Sequence, residues 1–182
     1  MESEGVPYAH PSYAHLGWVV DGKFNIARVE LRATRKIVIL KIIKDQSDFH
    51  RERTFLAILG EASSSAAGYV VELKYVLEPS NFEPRFGLVE EALGENLWNY
   101  LRRRPSLVEQ ERRTLALNVV NAIVALHSMR VVHGDLKPHQ ICFVLNQPGF
   151  SVKLVDFDSA FSFDDKSHRI DRYTLLYAAP EV

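Results

Sequence analysis

In the stretch VVHGDLKPHQICF, residues 131–143, two apolar residues are followed by ionisable side chains at alternate positions. His133 and Asp135 are potential bases, and Lys137 adds a cation two residues further on. Both a catalytic loop and a surface turn would explain a polar run between two apolar runs. The choice depends on the elements that position these residues and on the charged groups that accompany them.

The composition is that of an ordinary globular protein. Of 182 residues, 47% are hydrophobic and 25% are charged, which is enough for one good core or two small ones. The net charge of −1 creates no overall field toward nucleic acid or membrane, so neither is expected as a partner. The single cysteine, Cys142, cannot form an internal disulfide, and no stretch approaches the roughly 20 apolar residues of a membrane span. We therefore expect a cytoplasmic, intracellular protein.

The first half of the chain has the pattern of a small sheet. Residues 1–14 lack any period and are interpreted as a flexible N-terminal arm. From Leu16 to Ile43, runs rich in Val and Ile predict three antiparallel strands, the first two joined at Asp21-Gly22. A helix in 47–60 and two further strands in 69–77 and 85–93 follow.

The second half is mainly helical. After Gly94 the apolar spacing lengthens and predicts a short helix in 95–104 and a long one that ends at about Met129. The opening stretch then follows as strand, loop and strand. The two halves predict an α+β fold, divided into the arm at 1–14 and domains at 15–92 and 93–182.

Four motifs in this order resemble those of eukaryotic protein kinases. His133-Gly134-Asp135-Leu136-Lys137-Pro138 looks like the catalytic loop, and Val38-Ile39-Leu40-Lys41 stands where the family carries a phosphate-gripping lysine on its third strand. Asp156-Phe157-Asp158 takes the place of Asp-Phe-Gly, and Ala179-Pro180-Glu181 matches the Ala-Pro-Glu that closes the activation segment. The resemblance covers about residues 16–182 and implies a bilobal fold, in which a small antiparallel-sheet N-lobe with one helix precedes a partial, mainly helical C-lobe.

The resemblance implies a Ser/Thr protein kinase that uses ATP and Mg²⁺ and acts on a protein substrate. Asp135 would accept or orient the proton of the attacking hydroxyl, and Lys137 would steady the transferring phosphate. Thr174 resembles the threonine that Ser/Thr kinases place against these two residues. Asp156 would hold Mg²⁺, together with Gln140 at the position of the family's asparagine.

The same resemblance assigns residues that would grip the phosphates of ATP. Lys41 would face the α- and β-phosphates, and Glu52 on the following helix would hold Lys41 through an ion pair. Gly22 is the one glycine that remains of the three in the family's glycine-rich loop.

Further positions would contact the base of the nucleotide. Ile39 and Ala27 stand where the family has the alanine and the valine that flank adenine, and Glu91 and Leu93 stand in its hinge. Glu90 takes the usually apolar gatekeeper position, where its carboxylate either faces solvent or pairs with a cation.

Three departures from the family pattern affect regulation and metal binding. Gly134 replaces the arginine that reads a phosphate on the activation loop, so we expect this control to be absent. Gln140 carries the amide group of the family's asparagine on an arm that is one methylene longer. Asp158 replaces a glycine, which stiffens the metal loop and adds a carboxylate. His133 is interpreted as a brace for the loop rather than as a metal ligand.

The family's C-lobe continues with several helices beyond Ala-Pro-Glu, whereas this sequence stops at Val182. We therefore expect either a truncated form of the domain or a fragment of a longer parent chain, in which the remainder of the C-lobe would be a further partner. The catalytic activity of such a fragment is a separate question from that of its parent.

Two alternative functions stay open. A pseudokinase, or nucleotide-binding scaffold, is favoured by the thin glycine loop and by Gln140 and Asp158, but the retained Lys41 and Asp135 oppose it. A small-molecule kinase of the aminoglycoside or choline type shares the HGD and VDFD runs. Lys137-Pro138 and the segment 174–181 oppose this second alternative, because those features serve peptide substrates.

Overall fold

A computed structural model describes residues 12–20, 25–61, 63–79, 85–147, 149–165 and 173–178. The predicted Asp21-Gly22 turn, with Gly22 itself, the Ala-Pro-Glu motif at 179–181 and most of the predicted arm lie outside the described residues. The chain divides into two compact units: Met1–Phe49 with Leu73–Ala92, and His50–Glu72 with Leu93–Val182.

The first unit is a five-stranded antiparallel sheet with strand order β1-β2-β3-β5-β4. Its strands are β1 (Tyr13–Val20), β2 (Asn25–Leu31), β3 (Ile37–Ile43), β4 (Leu73–Leu77) and β5 (Phe86–Glu91). The predicted antiparallel sheet is thereby confirmed. The arm predicted at 1–14 is too long by two residues, because Tyr13 and Ala14 pair with β2 and the Tyr13 side chain is buried.

Alternation along β3 gives the sheet its core. Val38, Leu40 and Ile42 are buried on one face, where they form a cluster with side chains of neighbouring strands. Since successive side chains of a strand point to opposite faces, Ile39 and Lys41 belong to the other face. The two faces of this sheet therefore differ, since one carries the buried apolar cluster and the other a buried lysine.

Helix α1 (Gln46–Gly60) follows β3. The Asp45 carboxylate accepts hydrogen bonds from the backbone N–H groups of Ser47 at 2.8 Å and Asp48 at 3.0 Å, which caps the helix N-terminus. The boundary between the units falls after Phe49, so most of α1 belongs to the second unit. The predicted domain of 15–92 placed the whole helix in the first.

The second unit is mainly helical in its first part. Helix α2 (Leu97–Arg103) begins where the Asn96 side chain accepts a hydrogen bond from the Asn99 backbone at 2.9 Å, and the longer helix α3 (Glu109–Ser128) follows. Among the described residues, no helix combines the length and the apolar character that a membrane span requires. The predicted α+β class, a sheet with one helix followed by a mainly helical part, is confirmed.

Short strand pairs hold the polar loops of this unit. Strand β6 (Val131–Val132) pairs with β9 (Phe161–Ser162), and β7 (Ile141–Phe143) pairs with β8 (Val152–Leu154). Residues 133–140 run from β6 to β7, and residues 155–160 run from β8 to β9. Because the two loops connect the same strand pairs, they lie beside each other, and they carry most of the candidate chemistry.

Candidate active site

Three predicted catalytic residues of the second unit contact one another. The Lys137 ammonium lies 2.5 Å from Oδ2 of Asp135 and donates a 2.8 Å hydrogen bond to the Thr174 hydroxyl. The backbone N–H of Thr174 donates to Oδ1 of Asp135 at 2.7 Å. Residues 37 positions apart in sequence thus form one closed set of contacts.

The charge of Asp135 is stabilised by these contacts. Burial by itself would raise the pKa of Asp135, but the hydrogen bonds from Lys137 and Thr174 and the Lys137 charge outweigh it and hold the pKa below its ordinary value. The carboxylate is therefore ionised at neutral pH. Each of its oxygens has a second lone pair, so the group retains the capacity to accept a hydroxyl proton donor.

Gln140 and Asp156 form a polar pair that suits a hard cation. Gln140 lies in a 3₁₀ turn (Pro138–Gln140), and its Nε2 donates to Oδ2 of Asp156 at 3.1 Å. The amide oxygen Oε1 of Gln140 is buried and meets no hydrogen-bond partner among the residues the structure describes. Amide and carboxylate oxygens are ligands that Mg²⁺ accepts, and it commonly takes only one or two protein carboxylates together with substrate phosphates. The pair therefore fits Mg²⁺.

His133 connects the two loops from inside. Its ring is buried, Nε2 donates to the Val155 carbonyl oxygen at 2.9 Å, and the ring packs against Phe157 with centroids 4.9 Å apart. Burial lowers the pKa of His133, although the Val155 carbonyl and nearby aspartates oppose the change. A neutral, buried ring bonded to a backbone carbonyl is a structural brace, as the sequence predicts.

Gly134 is required by close packing. It has a φ of +84°, and a Cβ at this position would lie 2.1 Å from the Ser159 carbonyl oxygen. No real Cβ approaches an oxygen so closely, and the positive φ alone disfavours other residues. The absence of the family's arginine therefore goes together with a close approach of the two loops, which the sequence alone did not indicate.

Two consecutive residues of helix α1, Arg51 and Glu52, contact the loop 155–160. The Glu52 side chain is fully buried, and its Oε1 accepts a hydrogen bond from the Phe157 backbone N–H at 3.2 Å. Arg51 donates from Nη1 to the Asp158 carbonyl oxygen at 3.1 Å. Sequence reasoning missed Arg51, because a side chain that binds a distant backbone carbonyl leaves no motif. The pairing of Glu52 with Lys41 stays a prediction.

In the first unit, the register separates two of the predicted adenine-flanking residues. Lys41 is buried at 3% exposure and lies opposite Ile26, whereas Ala27 lies opposite Leu40. Cross-strand partners share a face, so Ala27 belongs to the apolar cluster on the face away from Lys41 and Ile39. The prediction that Ala27 and Ile39 flank one ligand is therefore wrong. On β2, Ile26 lies opposite Lys41 and Arg28 lies opposite Ile39, so both belong to the Lys41 face.

Three further predicted positions lie at the end of β5 and just beyond it. Glu90 lies opposite Ile39 and is only 6% exposed, so the alternative in which it faces solvent is wrong. Glu91 ends β5 opposite Val38, and Leu93 begins the next part of the second unit; both are half-buried. Their contact with a nucleotide base stays a prediction.

Comparison with known proteins places the chain in a family. The family model described as "Protein kinase domain" matches residues 19–182. The chain is 30% identical over 179 residues to homeodomain-interacting protein kinase 1 of Mus musculus, an alignment that covers 94% of this chain and 14% of that protein. It is 29% identical to the protein of the same name in Caenorhabditis elegans, covering 97% of this chain and 21% of that one.

A further relative is homeodomain-interacting protein kinase 4 of Homo sapiens, which is 30% identical over 166 residues. That alignment covers 87% of this chain and 26% of the relative. The chain thus spans about a quarter or less of the length of these relatives.

Proposed function

Because this chain belongs to the protein kinase family, we propose that it transfers the γ-phosphoryl group of ATP to serine or threonine hydroxyls of a protein substrate. The observation that carries the proposal is the closed set of contacts among Asp135, Lys137 and Thr174. Phosphoryl transfer depends on positioning and on charge neutralisation, and these contacts supply an acceptor and a cation side by side.

The reaction assigns a role to each of these side chains. The substrate hydroxyl donates its proton toward the Asp135 carboxylate while its oxygen forms a bond to the γ-phosphorus. The bond between that phosphorus and the oxygen bridging it to the β-phosphorus breaks, and ADP leaves. Lys137 offsets negative charge on the transferring group, and the Thr174 hydroxyl holds the ammonium in place.

Asp156 and Gln140 would hold Mg²⁺, which neutralises the phosphate charges when bound. On the protein side, the hydrogen bond from Gln140 to Asp156 fixes the relative orientation of the two side chains. The contact keeps the two side chains adjacent, which supports assigning both to one metal site despite the longer arm of glutamine.

The nucleotide-binding role of the first unit rests on the family resemblance and on its register. Lys41 would bind the phosphates and Glu52 would hold it, while Ile39 and Ile26 would contact the base from the face they share with Lys41. Glu91, Leu93 and Gly22 keep the hinge and phosphate-loop roles that the resemblance implies. An intracellular location and a partner in the remainder of a C-lobe belong to the same proposal.

A radiolabelled phosphate-transfer assay tests this function. The chain is incubated with labelled ATP, Mg²⁺, a generic basic protein and a free aminoglycoside, and Asp135→Asn serves as the control. Label on the protein that is lost in Asp135→Asn is the expected result. Label on the aminoglycoside would favour the small-molecule kinase, and ATP binding without any transfer would favour the pseudokinase.

A further inference from the structure

Two consecutive side chains of α1 bind two consecutive residues of the metal-binding loop. Glu52 accepts the N–H of Phe157 at 3.2 Å, and Arg51 donates to the carbonyl oxygen of Asp158 at 3.1 Å. The carboxylate therefore binds the start of this dipeptide and the guanidinium binds its end. The negative carboxylate thus accepts a hydrogen bond from a backbone N–H, and the positive guanidinium donates one to a backbone carbonyl.

The residue immediately before this dipeptide is in a sparsely populated conformation. Asp156 has a φ of +70°, in the left-handed region that few residues other than glycine adopt. Such a backbone persists only where its surroundings hold it. The Phe157 side chain is fully buried, and its backbone N–H donates to Glu52. The residue that directly follows Asp156 is therefore held in place.

At the end of the metal-binding loop, Ser159 packs against Gly134, a residue without a side chain. The Ser159 hydroxyl donates to Oδ1 of Asp158 at 2.9 Å. Position 134 supplies no guanidinium, because the space for even one Cβ is taken by the Ser159 carbonyl oxygen. Among the described residues, Arg51 of α1 does bring a guanidinium to this loop.

We propose that Arg51 is a positioning residue for metal binding, which acts by holding the Asp158 carbonyl and so keeping Asp156 oriented toward Gln140. The inference rests on the proposed function for the identity of the metal, but the restraint on the loop exists without metal or nucleotide. Arg51 touches neither substrate nor phosphate in this role. Its effect passes through the backbone of residues 156–158.

The first test measures the loop itself. Hydrogen–deuterium exchange is followed in the 182-residue chain without nucleotide, and a peptide spanning residues 155–160 is compared among variants. Arg51→Met keeps the apolar stem and removes the donor, so exchange in this peptide should rise about tenfold, the scale expected for loss of a hydrogen bond from a charged group. Arg53→Met, at an exposed arginine of the same helix, is the matched control.

Arg51→Lys keeps a cationic donor and should restore most of the protection. If Arg51→Met does not fold, Arg51→Lys is compared with Arg53→Lys, and a smaller rise confined to the same peptide is expected. Exchange at 155–160 that is equal in the Arg51 variant and its Arg53 counterpart would overturn the proposal. A rise spread evenly over the whole second unit would also overturn it, because it would make Arg51 a general stabiliser.

The second test measures metal dependence without turnover. Stabilisation of the chain by ATP against thermal unfolding is titrated with Mg²⁺. The Mg²⁺ concentration at half effect should rise about tenfold in Arg51→Met, the lower end of what loss of a group supporting a metal ligand costs, and should not change in Arg53→Met. A parent chain that ATP does not stabilise would contradict the proposed function, whereas the exchange experiment would still decide the role of Arg51.

Discussion

At the scale of single residues, Asp135 combines partial burial with donors on both of its oxygens. Lys137 occupies Oδ2 and the Thr174 N–H occupies Oδ1, so the carboxylate has one orientation available. The Thr174 hydroxyl adds a second bond to the Lys137 ammonium. Thr174 therefore acts on the carboxylate through its backbone and on the cation through its side chain, and substitution can separate the two effects.

Replacing Thr174 by valine should lower the rate of phosphate transfer about tenfold, because the hydrogen bond from a charged donor to the hydroxyl is lost while shape is conserved. Thr174→Ser keeps the hydroxyl and the backbone N–H and should stay close to the parent. Steady-state transfer rates of the two variants check this. Equal rates for valine and serine would show that the hydroxyl does not hold Lys137 during the reaction.

Substitutions of Gln140 test whether Gln140 and Asp156 bind Mg²⁺ together. Gln140→Ala removes a buried amide oxygen from the side of Asp156, so turnover at low Mg²⁺ should fall clearly and recover in part at high Mg²⁺. Gln140→Asn restores the family's shorter arm and should leave turnover level or raise it. Turnover of both variants is measured over a range of Mg²⁺ concentrations. Full activity of Gln140→Ala at low Mg²⁺ would remove this residue from the site.

At the scale of elements, the catalytic loop and the metal-binding loop are held against each other by contacts that tolerate little change. His133 binds the Val155 carbonyl, the Val155 N–H donates to the Gln140 carbonyl at 3.0 Å, and Gly134 meets Ser159. These contacts join both ends of the loop 133–140 to the loop 155–160, which is held at its start and at its end. Alterations at either loop should therefore affect the stability of the pair as well as its chemistry.

Gly134→Ala should destabilise the chain more than Gly149→Ala does. Both glycines have nearly the same backbone, with φ of +84° and +85°, but a Cβ at 149 meets nothing within 4 Å while one at 134 meets the Ser159 oxygen at 2.1 Å. The control should cost about 1–2 kcal/mol from backbone strain alone, and the collision adds to that at 134. Urea unfolding of both variants measures the difference. Equal losses would mean that the loops separate without cost.

The buried His133 should make stability depend on pH. Burial lowers the folded-state pKa, so below about pH 6.5 the unfolded chain binds a proton that the folded chain does not. The free energy of unfolding should therefore fall as the pH drops from about 7 toward the folded pKa, by up to about 1.4 kcal/mol per pH unit. His133→Gln should be less stable at pH 7 but have a shallower slope. Parallel slopes for parent and variant would show that another group is responsible.

At the scale of the whole molecule, the segment after β8 is anchored along its described length. Its start is held by His133 and Glu52, β9 pairs with β6, and Asp164 forms an ion pair with Arg130 at 2.5 Å. The backbone N–H of Phe163 also donates to the Arg130 carbonyl at 2.9 Å. These contacts order the described part of the segment without any phosphate group.

Transfer activity should accordingly not require phosphorylation within residues 159–174. Gly134 offers no guanidinium to a phosphate, and the contacts that order the described part of the segment already exist in the unmodified chain. Phosphatase treatment should leave the rate unchanged, with a phosphatase-treated kinase that depends on loop phosphorylation as the positive control. A fall of more than about tenfold, or about 1.4 kcal/mol in barrier, would mean that another cation reads a phosphate there.

The sequence by itself determined the strand alternation of the first unit, the long α3 and the order of the kinase motifs. These features depend on local spacing: period two buries one face of a strand, period 3.6 buries one face of a helix, and Asp135, Lys137 and Asp156 keep the short-range pattern of the family. The identity of the family could therefore be predicted from the order and spacing of these residues alone.

Only the tertiary structure decided which side chains meet across long distances in the chain. The face on which Ala27 lies depends on strand register, and the burial of Glu90 depends on what covers β5. The need for glycine at 134 depends on a carbonyl oxygen 25 residues away, and the role of Arg51 depends on one 107 residues away. Every residue has a backbone carbonyl, whatever its side chain, so the sequence does not indicate which carbonyl a distant residue will contact. The contacts at Gly134 and Arg51 arise only when distant segments pack together.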